Sequence, residues 1–111
     1  MILGAAMVKP ASNTVQLDAT NVASGVTVGN ASDYQQQFLI SNDGTVTAFF
    51  TYAANGATAP VAVAPASGVP ANGIPLLAGT VQTFTMTQGA QVSAITKTGA
   101  TTLYITPCEG L

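Results

Sequence analysis

Histidine, tryptophan and arginine are absent from this 111-residue chain, and charged side chains make up only 5% of it. Each gap closes off a class of function. Without imidazole there is no Ser-His-Asp triad, no Cys-His pair and no histidine to ligate a metal or shuttle a proton. Lys9 and Lys97 stand alone against Asp18, Asp33, Asp43 and Glu109, for a formal net charge of −2. Neutralising a phosphate backbone takes many cations, so nucleic acid is not an expected partner. The same shortage argues against an anionic membrane surface, and no run reaches the roughly 18 to 20 apolar residues of a spanning helix.

The acids are scattered in turn-like settings rather than paired as in a glycosidase. No Gly-Lys-Ser/Thr phosphate loop is present, and Gly25-Val26-Thr27-Val28-Gly29 lacks the helix and the acid of a dinucleotide site. The chain is therefore not expected to be an enzyme or to hold a cofactor or metal. Cys108 is the only cysteine, which removes any intramolecular disulfide and any Cys pair for zinc. It reads as a small side chain packed near the end of the chain, with an intersubunit disulfide or a reactive thiol as the alternative.

What is present is small and β-forming. Val, Ile, Leu and Phe supply 27 of 111 residues, beside 19 Ala and 16 Thr. That apolar fraction is enough for one packed core and too little for two. The opening MILGAAMVKP is apolar, but its first lysine follows the apolar run and Pro10 comes next. It reads as an unprocessed N-terminal arm, residues 1–13, rather than a signal peptide.

Period-two alternation then recurs along the chain, broken by Gly, Asn and Asp, with no helical stripe. Strands are expected over 14–18, 22–28, 34–41 and 45–53, and again over 74–78, 80–87, 91–97 and 101–106. Asn42-Asp43-Gly44 predicts a hairpin spanning 34–53, and the short turns of the last third predict an antiparallel meander. Asp43 reads as a turn residue rather than a calcium ligand. Asn30-Ala31-Ser32 reads as a turn rather than a glycosylated sequon. Tyr34, Tyr52 and Tyr104 read as core tyrosines rather than a sugar platform.

Phe49 and Phe50 are adjacent, so in a strand they leave opposite faces, and one of them needs a second apolar surface from a loop or a neighbouring subunit. The stretch NGATAPVAVAPASGVPANG, 55–73, has prolines at 60, 65 and 70 that deny ladder hydrogen bonds. It predicts a long loop lying against protein. Seven or eight short strands in one domain make an all-β, antiparallel sandwich, jelly-roll-like in preference to immunoglobulin-like.

The C-terminal third carries Gly79, Phe84, Ala94-Ile95-Thr96, Gly99, Thr102-Leu103-Tyr104, Thr106 and Glu109-Gly110-Leu111. In this it resembles small β-rich structural proteins of tailed bacteriophages, over roughly 74–111, with Pro107-Cys108 departing from the pattern. The resemblance implies a virion component, most similar to capsid decoration or cement proteins. Those are made in the host cytoplasm, assemble as homotrimers, sit on the outer capsid surface of the virion, and bridge subunits of the major capsid protein. On that reading the contact residues are expected in the arm (Met1, Ile2, Leu3, Met7, Val8) and in the apolar strand and loop (Phe49, Val61, Val63, Val69). The alternative is a tail or fibre module that binds host glycans through an exposed aromatic cluster.

Overall fold

Alternating side chains with β-branched and aromatic residues fit a half-buried pleated surface, and strands form wherever that alternation runs. A computed structural model describes residues 7–8, 14–28, 35–54, 56–87 and 90–109. These comprise β1 (Met7–Val8), β2 (Val15–Ala19), β3 (Ser24–Thr27), β4 (Gln35–Asn42), β5 (Ala48–Ala53), β6 (Ile74–Leu76), β7 (Val81–Thr87), β8 (Gln91–Thr96) and β9 (Thr101–Glu109). No helix occurs among the described residues. Met1, Ile2, Leu3, Tyr34 and the Asn30-Ala31-Ser32 segment, read above as a turn, lie outside them.

The strands form two sheets. Sheet I runs β2-β9-β4-β7, with β1 beside β2 on the same edge of β9, and sheet II runs β3-β8-β5-β6. All pairings are antiparallel, and they nest: β5 with β6, β4 with β7, β3 with β8, β2 with β9. The chain is thus one long two-stranded ribbon, doubled back at the 54–73 loop and rolled up, and the roll is closed by β4–β9 and β5–β8. Eight strands rolled this way into two sheets are a jelly roll.

This arrangement replaces the predicted hairpin and meander. β4 and β5 belong to different sheets, so the Asn42-Asp43-Gly44 segment is a corner, not a hairpin turn. β6, β7, β8 and β9 also alternate between sheets, so no two consecutive strands among these four pair with each other. A short connection can cross between two packed sheets about 10 Å apart as readily as it can double back.

Inward-facing residues of both sheets make one core: Leu17, Phe38, Ile40, Leu103 and Ile105 from sheet I meet Ala48, Phe50, Leu76, Val92 and Ala94 from sheet II. Phe50 packs edge-on against Phe84, with ring centroids 4.8 Å apart at 73°. Such an edge-to-face pair adds to simple area burial. Pro107 sits within β9, a strand paired on both sides. Among the described pairings it falls between the β2 ladder, which ends at Ile105, and the β1 ladder, which begins at Cys108, a position at the end of a ladder that suits a residue with no N–H.

At the β4–β5 corner Asn42 is buried, and its amide serves four groups. Nδ2 donates to the carbonyls of Val46 (3.0 Å) and Leu76 (2.9 Å). Oδ1 accepts from the Gly44 N–H (3.1 Å) and the Thr101 hydroxyl. One side chain therefore ties together the corner, β6 and the start of β9. A Cβ on Gly44 would come 1.8 Å from Thr101 Oγ1, so only glycine fits there.

Candidate interaction surface

A proline-broken segment cannot satisfy its backbone in a ladder, and buried N–H groups need partners. In the 54–73 loop, side chains supply them. Ala62, itself buried, donates its N–H to Ser93 Oγ (2.9 Å), and the Val63 N–H donates to Asn72 Oδ1 (2.8 Å). Asn72 Nδ2 donates to the Val61 carbonyl (3.0 Å), and the Gly73 N–H donates to the Val63 carbonyl (3.1 Å). Gln91 Nε2 reaches the Ala57 carbonyl (2.9 Å). A tight turn at Ser67-Gly68 is closed by the Val69 N–H donating to the Ala66 carbonyl (2.9 Å), with Gly68 at a φ of 72°.

The result is a third layer over sheet II. On β8, Val92, Ala94 and Thr96 turn inward, so Gln91, Ser93 and Ile95 turn outward. Ser93 is nevertheless buried, because the loop covers it. The expectation that this loop lies against protein holds, and the protein is its own sheet.

The same layer settles the two adjacent phenylalanines. Phe50 is fully buried in the core, while Phe49 is half-buried on the outer face of β5. Gly73 lies directly on Phe49: a Cβ there would come 2.7 Å from Phe49 Cβ and 2.6 Å from the Val63 carbonyl. Lys97 Nζ stands 5.8 Å from the Phe49 ring centroid, within cation–π range. Phe49 thus gains its second apolar surface from the loop of the same chain.

The large apolar side chains that the layer leaves outward are three valines. Val61, Val63 and Val69 are 66%, 51% and 60% exposed. Val61 and Val63 flank buried Ala62, which its bond to Ser93 holds against sheet II, and both are tied to Asn72, so the two valines stand outward. Between the loop and Ile95–Lys97 lies a shallow groove of about 610 Å³. Its floor is apolar, and Lys97 stands at its rim as the sole lysine among the described residues.

Compared with protein-family models, with curated proteins and with solved structures, the chain matches none.

The other residues singled out in the sequence fall elsewhere. Met7 and Val8 form β1, paired with Glu109 and Cys108, so this part of the arm is stitched to the edge of β9. Asp43 is exposed in the corner, its N–H donating to the Thr102 carbonyl (2.9 Å). Among the described residues no three His, Cys, Asp or Glu side chains gather into a cluster. The two described tyrosines do not converge. Tyr52 lies three residues from Phe49 on β5 and so leaves the opposite face, and Tyr104 is half-buried on the outer face of sheet I.

Cys108 is buried in β9, and that burial pushes its thiol above the ordinary range, opposed by a weaker hydrogen bond with the Leu39 backbone. The roles of Ser93 and Asn72 escaped the sequence reading. Their signal was there: a serine on the outer face of a strand predicted to pack, and an Asn-Gly pair closing a proline-rich loop.

Proposed function

We infer that this protein is a virion structural component of the decoration type, which seats on the outer capsid surface and bridges subunits of the major capsid protein. The observation that carries this reading is the loop layer. A loop fixed by side-chain bonds at Ser93 and Asn72 presents Val61, Val63 and Val69 outward on a rigid sandwich. Exposed aliphatic side chains held in place lose little entropy on docking, so their burial converts efficiently into affinity. A jelly roll with few surface charges also suits a protein that works while assembled. The resemblance of 74–111 to tailed-phage structural proteins points the same way and brings with it the expectation of a homotrimer.

A glycan-binding tail module calls for an exposed aromatic cluster, whereas Phe50 and Phe84 pack together on the core side and Phe49, Tyr52 and Tyr104 are spread over different faces. The decoration reading therefore takes precedence.

The test mixes the purified protein with capsids that lack it and measures occupancy by co-sedimentation, together with the capsid melting temperature. Binding with a raised melting temperature is the expected result. The triple variant Val61→Ser, Val63→Ser, Val69→Ser should bind about a hundredfold more weakly, because each buried valine contributes on the order of 1 kcal/mol. The three side chains are exposed, so the variant should keep its fold. A wild-type protein indifferent to capsids overturns the reading, and glycan arrays then become the next experiment.

A further inference from the structure

A sheet edge is a row of unpaired N–H and C=O groups, and proteins usually blunt it with shortness, proline, glycine or charge. Three edges here follow that rule. β6 has three residues with Pro75 among them, and β3 has four with Gly25. The β2 edge carries Asp18 and is interrupted before β1 begins. The fourth edge does not follow it. β7, Val81-Gln82-Thr83-Phe84-Thr85-Met86-Thr87, is seven residues long and holds no charge, proline or glycine. It pairs with β4 on one side and, among the described residues, with nothing on the other. Val81, Gln82, Thr83 and Thr85 are exposed.

We propose that β7 is a self-association edge, pairing antiparallel with β7 of a second copy of this chain across a two-fold axis at Phe84. The sequence of the strand is what selects a second copy as occupant. Folded on itself about Phe84, it sets Thr83 opposite the second copy's Thr85, Val81 opposite Thr87 and Gln82 opposite Met86. Cross-strand Thr–Thr pairs are favourable, and no like charges meet. Register with β4 puts Thr83 and Thr85 on the outer face and Phe84 on the core side, where it is half-buried against Phe50. At the axis the two Phe84 rings would shield each other, and Gln82 would lie over the neighbouring Met86. The two four-stranded ladders β2-β9-β4-β7 then join into one continuous sheet. An isologous contact of this kind closes at two copies and cannot propagate a fibre. It is separate from the valine loop, which belongs to sheet II, and does not rest on the capsid reading.

The test compares the wild-type protein with the variant Thr83→Lys, Thr85→Lys by light scattering after size exclusion and by sedimentation equilibrium, up to about 100 µM, where a micromolar dimer is nearly full. Both threonines are exposed, and circular dichroism with thermal melting checks that the variant is folded. The dyad places two lysine pairs face to face, so the expected result is wild-type self-association weakened at least about tenfold and the mass of the assembly halved. Hydrogen exchange on the wild-type protein should also show protection within 81–87 rising with concentration. A wild-type monomer at the highest concentration overturns the proposal. So does any assembly, a trimer included, whose mass the two lysines leave unchanged.

Discussion

Asn42 and Thr101, 59 positions apart in sequence, share a buried hydrogen bond from the threonine hydroxyl to the amide oxygen. Around it the Asn42 side chain makes three further bonds, to Val46, Leu76 and Gly44. Replacing Asn42 with Leu would strand two carbonyls, one N–H and one hydroxyl in the interior. Orphaned buried groups cost about 1–3 kcal/mol each, though some would regain water at the corner. The expected loss for Asn42→Leu is about 3–5 kcal/mol, against about 1–2 kcal/mol for Thr101→Val, which removes one bond and keeps the shape. Urea denaturation with unchanged m-values would measure both.

Phe49 and Phe50 should differ sharply despite being adjacent. Phe50→Ala opens a cavity beneath Phe84 and should cost about 3–5 kcal/mol. Phe49 is half-buried under Gly73 and Lys97, and its truncation removes less contact, so Phe49→Ala should cost about 1–2 kcal/mol. Equal losses in chemical denaturation would contradict the assignment of the two faces.

The loop layer predicts a second contrast. Ser93 Oγ is buried, and its replacement by alanine leaves the buried Ala62 N–H without a partner, at about 1–3 kcal/mol. Asn72 is exposed, and water can replace its two bonds to Val61 and Val63, so Asn72→Ala should cost under about 1 kcal/mol of global stability. Both variants should nonetheless release the loop locally, seen as faster elastase cleavage within 56–73. Cleavage of the wild-type loop at the variants' rate would show that these bonds do not hold it.

Cys108 sets a pH dependence. Its thiol is raised by burial in the folded chain, so the unfolded state loses its proton first as pH rises. Below the ordinary thiol range of about 8.5 both states are protonated and the group contributes its full share of stability. Above that, stability falls with pH until the folded thiol also ionises. Replacing Cys108 with Ala should remove this part of the alkaline decline. A thiol reagent should label the native protein only at the rate at which it opens.

The positions of the strands were legible because alternation is a local signal. The stretch 34–41 became β4, 80–87 became β7 and 91–97 became β8, within two residues at each end. Their partners were not legible. Asn42-Asp43-Gly44 has hairpin chemistry, yet the side chain of Asn42 turns inward and pins a corner, and nothing local distinguishes the two outcomes. The Phe49-Phe50 pair did announce a second covering layer, since face alternation forces one. Which residues would hold that layer down depended on Ser93, a contact between segments far apart in the chain.

The rolled ribbon also has a consequence for how the chain comes to be folded. β9 is the strand that β1, β2 and β4 all pair with, and it follows every other strand in the sequence. During synthesis Val15 must wait for Ile105 before β2 has a partner at all. Sheet I can be no more than the β4–β7 pair until then. Only the β5–β6 end, with Ala48 against Leu76, closes over a comparatively short span. Closing such long loops before any reward is collected slows β-proteins to milliseconds or seconds, and folding here is set to begin at the loop-bearing tip and finish with β9.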